Sequence, residues 1–120
     1  MAYTGTIVTE AEIDLMAGEN ADVTGDTEAN HNYLVAHCEA ELCIMLKSDI
    51  VTNWNSINTI YKKIFSEYAA RISAISLITY NMAGYTSRIE AEDMINVHIY
   101  RTNEIKELLK NASVQDFLGI

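Results

Sequence analysis

The chain has no proline and only five glycines among its 120 residues. Average proline usage, about 5%, would give roughly six. The shortage excludes a collagen-like repeat and a Pro/Gly-rich disordered chain. Cysteine is scarce as well, with Cys38 and Cys43 alone. Five residues apart on one helix, they point about 140° from each other and cannot bridge. They read as small buried hydrophobes in a reducing environment. Long apolar runs are missing too. The longest uncharged stretch, Ile72 to Ser87, carries Ser73, Ser76, Thr79 and Asn81, and it is too short and too polar to span a bilayer. The first residues lack the basic and apolar regions of a secretion signal, so synthesis in the cytoplasm is expected.

Positive charge is missing from one part of the chain. Residues 1–46 carry nine acids and no Lys or Arg, whereas residues 47–120 carry eight of each. All of the net charge of −9 therefore lies in the first 46 residues. Wrapping of nucleic acid is disfavoured, because affinity for phosphates comes from Lys and Arg. The asymmetry reads either as plain solubility or as a surface that meets a basic partner or faces DNA without sticking to it.

What remains is the composition of one soluble domain, 49% hydrophobic and 21% charged, with room for one core. Residues 1–8 read as an extended arm with Tyr3, Ile7 and Val8 as its apolar members. Thr9-Glu10-Ala11-Glu12 is a capping box, which opens a short helix that Gly18 can stop. After a polar loop at 19–26, Asp26 or Thr27 caps a second helix, roughly 27–47. Its expected stripe is Leu34, Cys38, Leu42 and Met45, widened by Val35 and Leu46. A short connection, Ser48 to Asn53, leads to a third helix expected over 54–83. Its stripe is Ile57, Tyr61, Ile64, Tyr68, Ile72, Ile75, Ile78 and Met82. The i,i+4 pairs Lys63–Glu67 and Glu67–Arg71 are placed on its outer face. Ser87 to Glu90 forms a second capping box, opening a fourth helix over 88–110. Met94, Val97, Ile105 and Leu108 are its expected buried residues, flanked by Ile95, Ile99 and Leu109. The last residues form a helical turn or tail. The fold class is therefore all-α: a four-helix bundle-like domain over 9–111, two helices long and two shorter, between the arm at 1–8 and a docking tail at 112–120.

Catalytic and metal signatures are sparse. The three histidines, His31, His37 and His98, form no H-x-x-x-H, and no C-x-x-C, G-x-S-x-G, P-loop or G-x-G-x-x-G occurs. Cys38 and Cys43 have Glu39 and Glu41 near them, which opposes thiolate formation. Neither an enzyme, nor a catalytic residue, nor a metal site, nor a cofactor is expected. The tail residues Val114, Phe117, Leu118 and Ile120 are apolar in a segment too short to hold itself together. They read as docking on the chain's own body or on a neighbouring subunit.

The order of elements carries a resemblance. A short acidic capped helix (Thr9 to Ala17) is followed by a helix running from Thr27 through Cys38-Glu39-Ala40-Glu41-Leu42. A long apolar helix, the Gly84-Tyr85-Thr86-Ser87 break, a last long helix and a tail complete it. This resembles the small all-helical head–tail connector, or head-completion adaptor, proteins of tailed bacteriophages. The resemblance implies a homo-oligomeric ring, of about twelve copies by the family's habit. It also implies contact with the portal protein and with tail or nozzle proteins, a place in the neck of the virion, and DNA passing without specific binding. The acids Glu10, Glu12, Asp14, Glu19, Asp22, Asp26 and Glu28 become candidates for lining the exit channel. Tyr3, Ile7, Val8, Val114, Phe117, Leu118 and Ile120 become candidates for docking on the portal or on the adjacent subunit. The alternative is a small acidic helical module, a regulator or a DNA mimic, that binds a basic protein and weakens with salt.

Overall fold

A capping box sets the first turn of the protein, as its sequence requires. In a computed structural model, described over residues 3–18, 27–80 and 88–118, the Thr9 hydroxyl accepts from the Glu12 amide at 3.2 Å. The Glu12 carboxylate accepts from the Thr9 amide at 3.0 Å in return. The helix so opened, α1 (Glu10–Ala17), stops at Gly18, whose φ of +83° favours a residue without a Cβ. Thr27 caps α2 (Glu28–Leu46), which ends on Lys47 in the left-handed region at φ +55°. A 3-10 turn at Trp54–Ser56 precedes α3 (Lys62–Tyr80), then come α4 (Arg88–Lys110) and the short α5 (Ala112–Leu118). The protein is all-helical, with no strand among the described residues.

Three expectations need correction. The third helix begins at Lys62, not at residue 54. Asn53, Asn55, Ser56, Asn58 and Thr59 crowd that stretch, and such side chains compete for backbone groups. The Asn58 carboxamide oxygen accepts from the Ile60 amide at 2.9 Å, and the Asn53 side chain donates to the Asp49 carbonyl at 3.1 Å. Second, the buried stripe of α4 is rotated from the expected one. Ala91, His98, Thr102, Ile105 and Leu109 are buried, while Val97 and Leu108 are 61% and 45% exposed. Third, α2 buries His31, Val35, Cys38, Leu42 and Leu46, leaving Leu34 and Met45 half-buried. Met82 and the capping residue Ser87 lie outside the described residues.

Helix α3 is the centre. Phe65, Tyr68, Ala69, Ala70, Ser73, Ala74, Leu77 and Ile78 are all buried on it. The alanines let neighbouring helices approach closely. Cys38 of α2 lies against the Ala69 carbonyl and the Ser73 hydroxyl at 3.9 and 3.7 Å. Helix α4 meets the side bearing Glu67 and Arg71. Positions two apart on a helix lie about 160° around its axis from each other. Ala69 lies two positions from both Glu67 and Arg71, so α2 and α4 meet different sides of α3, and the two helices approach each other where Glu41, Ile44 and Met45 share a groove with Lys106 and Lys110.

The arm belongs to this core. Ile7 and Val8 are each 2% exposed. Glu39 of α2 accepts from the amides of Thr6 and Ile7 at 2.8 and 3.1 Å, and Asn32 accepts from Thr4 at 2.9 Å. Ser66 of α3 donates to the Ile7 carbonyl at 2.7 Å. The Tyr3 hydroxyl turns back to the Val8 carbonyl, its ring lying where a Cβ on Gly5 would clash.

Candidate protein-interaction surface

The titratable groups that converge inside the protein hold helices together. His98 is buried on α4 between two groups that define its proton. The Met16 carbonyl, at 2.9 Å from Nε2, can only accept, and the Arg71 guanidinium, at 2.9 Å from Nδ1, can only donate. Nε2 therefore carries the hydrogen and the ring is neutral. Burial, and then the Arg71 charge, lower its pKa from the ordinary 6.5. Arg71 continues to Glu67 at 2.8 Å, and Glu67 also accepts from Arg101 at 2.8 and 3.1 Å. The Arg101 and Arg71 hydrogen bonds hold the Glu67 carboxyl below its usual range against the opposing effect of burial. One chain of contacts thus ties α1 to α3 and α4. The sequence places Glu67 on an outer face of α3, but it faces α4.

His31 is the second such group. Glu10 lies 2.5 Å from its Nδ1 and Asp14 3.7 Å from its Nε2, tying α1 to α2. Among the described residues, no group of three or more His, Cys, Asp or Glu is disposed to hold a metal ion. The Cys38 thiol is pushed up to about 11, chiefly by burial, which suits a protonated donor rather than a nucleophile. Cys43 is half-buried, and both cysteines are free.

The docking candidates separate into two sets. Ile7 and Val8 lie inside this chain's own core, and Tyr3 packs against it. A partner cannot reach Ile7 or Val8 without opening the fold, so the expectation that they dock elsewhere is corrected. At the other end α5 leans on the body. The Phe117 ring lies 5.2 Å from that of Tyr61, and the Gln115 side chain donates to the Leu109 carbonyl at 2.8 Å. Val114 and Leu118 are half-buried there, yet Phe117 is 70% exposed. Ile120 lies outside the described residues, as do Glu19, Asp22 and Asp26. The remaining acids do not converge: Glu10 and Asp14 face His31, Glu12 closes the capping box, and Glu28 sits in the first turn of α2.

The surface carries apolar features that the expected stripes missed. A groove of about 600 Å³ runs between α1 and α4. Its walls are Leu15 and Met16 on one side and Ile89, Met94 and Val97 on the other, with His98 in its lining. Leu15 and Ile89 are 76% and 69% exposed. Glu90 and Asp93 stand at the same groove. Flexible methionines beside exposed aliphatic residues, with acids close by, fit an amphipathic segment carrying basic residues. Tyr33 and Ile44 on α2 and Tyr100 on α4 are also largely exposed. No helix among the described residues is long and apolar enough to cross a membrane.

Compared with known protein families, with curated proteins and with solved structures, the chain matches none of them.

Proposed function

We propose that this chain is a structural adaptor of a tailed-phage neck: a subunit of a homo-oligomeric ring that joins the portal to the tail and surrounds the DNA exit channel. It is made in the host cytoplasm and acts in the virion. The observation that carries this reading is the groove between α1 and α4, with Leu15, Ile89 and Val97 exposed on ordered helices. Contiguous apolar surface on a protein whose core is already filled is a contact surface for another protein. The helix order supports it too: a short capped α1, then α2, α3 and the longer α4 in the sequence that the connector resemblance requires. In this reading the helical body works as a four-helix bundle and α5 as its docking tail, with Phe117 as the reaching residue. The acidic first 46 residues keep the channel side repellent to DNA. The buried ion pairs and histidines serve the fold, and catalysis has no part in the role.

The test is a mixture of the purified chain with portal rings of tailed phages, weighed by native mass spectrometry. The expected result is a ring of about twelve copies seated on the portal. A portal that stays bare at micromolar chain concentrations contradicts the reading. Glu90 and Asp93 at the groove also favour the second reading, a regulator that grips a basic protein. That reading gives a one-to-one complex, steeply weakened by salt, and stoichiometry separates the two.

A further inference from the structure

Where α2 meets the second half of α3, it carries three chemically distinct side chains at helical spacing. Tyr33, His37 and Glu41 step by four residues, so they follow one another along one side of the helix. Helix α3 supplies Ile72, Ser73 and Ser76, and these six residues line a pocket of about 230 Å³. The Tyr33 and His37 rings lie 4.5 Å apart, tilted by 57°, and pack together as one aromatic rim. The pocket is smaller than sites for drug-sized ligands and has the scale of a single side chain.

Glu41 brings the charge. Its Oε1 accepts from the hydroxyl of Tyr68, a residue buried on α3, and this contact fixes the carboxylate. Burial, and then the hydrogen bond to Glu41, push the Tyr68 pKa up, so the hydroxyl keeps its proton and stays the donor. Among the described residues nothing donates to Oε2 of Glu41. Lys106 and Lys110 of α4 border another groove with Glu41 but form no ion pair with it. Residues 1–46 hold no Lys or Arg, so α2 has no cation of its own to satisfy that oxygen.

We propose that this pocket binds an alkylammonium group, the chemistry of a lysine side chain. An ammonium has three N–H donors, and Oε2 of Glu41 with the Ser73 and Ser76 hydroxyls supplies acceptors in the same pocket. The Tyr33 ring attracts the charge through its electron-rich face. Ile72 gives the alkyl stem an apolar wall. A guanidinium fits less well, because its fork calls for both carboxylate oxygens and Tyr68 already holds one. The ammonium arrives either on a free amine or on the lysine of a basic protein. The pocket shares no lining residue with the groove between α1 and α4, and it does not depend on the adaptor role.

The test is an amide-resolved NMR titration of the labelled chain at about pH 7.5, above the ordinary histidine value. Two probes carry the same ammonium: butylamine, and a capped pentapeptide with one central lysine. Butylamine is expected to shift the amides of His37, Ile72, Ser73 and Ser76 with a Kd of about one millimolar, the scale for so small a ligand. The peptide acetylated on its lysine keeps the stem, loses the charge and should shift none of them. Glu41→Gln preserves an acceptor for Tyr68 and should weaken binding about tenfold. Tyr33→Ala, at an exposed position, should weaken it about two- to fivefold. Thermal melts verify that both variants fold. Binding of the lysine peptide as well as butylamine supports the site and assigns the ammonium to a basic partner; binding of butylamine alone supports it and assigns the ammonium to a free amine. Amides that stay unmoved by both probes, an acetylated peptide that binds as tightly as the charged one, or a Glu41→Gln chain that binds like the wild type overturns the proposal.

Discussion

Helices α2 and α3 have the same length, 19 residues each, and carry three and four charged residues. Their fates differ. Around α3 the fold packs α1, α2 and α4, burying Phe65, Tyr68, Ala69, Ala70, Ala74, Leu77 and Ile78. Its charged residues Glu67 and Arg71 are drawn into contacts with α4. Around α2 the fold covers one side and leaves Tyr33 and Ile44 in water. Helix α3 is the interior of the chain; α2 lies at its edge, with one side buried and exposed Tyr33, His37, Glu41 and Ile44 on the other. Similar apolar content therefore does two different jobs, and the difference lies in what the rest of the chain supplies to cover it.

Large-to-small changes sharpen this contrast most. Phe65→Ala removes a fully buried ring and is expected to cost about 3–5 kcal/mol in urea unfolding. Ile44→Ala, on the outer side of α2, should stay within about 0.5 kcal/mol in the monomer. A comparable loss at both sites would erase the distinction between the helices.

The contact between α3 and α4 comes next. Glu67→Ala removes the acceptor shared by Arg71 and Arg101 and is expected to cost about 1–3 kcal/mol. The Arg101 share is the smaller, because that side chain is 38% exposed and solvent screens it. A double-mutant cycle of Glu67→Ala with Arg71→Ala, read by thermal melts, should show coupling between the two sites.

Acid should break the same contact in two stages. His98 has a lowered pKa in the folded protein, so the unfolded chain takes up that proton first. Stability therefore falls as pH drops below the ordinary histidine value of 6.5. Glu67 also has a lowered pKa, so its contribution is intact above the ordinary carboxylate value of 4.5 and is lost as pH falls through it. His98→Gln should remove the upper stage and leave the lower one, as followed by denaturation midpoints across pH. An unchanged upper stage in that variant contradicts the assignment to His98.

The smallest effect concerns the end of α2. Lys47 holds a left-handed conformation that glycine adopts without strain. Lys47→Gly should raise stability by about 0.5–1 kcal/mol in the same urea assay.

The starts and stops of most elements were legible because caps are local chemistry. Thr9 with Glu12, Thr27 and Gly18 mark boundaries that the fold keeps, and the 88–110 helix has the expected ends. Which face turns inward was harder to read. Helix α4 carries apolar residues on two rows, and size alone favours Val97 and Leu108 as the buried ones. The fold instead buries the row with Ala91, His98 and Thr102. Alanine permits close approach to α3, His98 is satisfied by Arg71 and Met16, and Thr102 donates to its own Ile99 carbonyl. Those partners come from distant parts of the chain, and helical period does not reveal them. The arm escaped for the same reason: Glu39 and Ser66, which satisfy its backbone, lie more than thirty and fifty residues away. Val97 and Leu108, expected in the core, remain outside it.

The most direct measurement of the central claim is hydroxyl-radical footprinting of Leu15 and Val97, at the groove between α1 and α4, in the free chain and in the chain mixed with portal rings. The account requires both oxidation rates to fall together when the portal is added, while the rate of half-buried Tyr61 stays constant. Portal-bound protein in which Leu15 and Val97 oxidise as fast as in the free chain contradicts it.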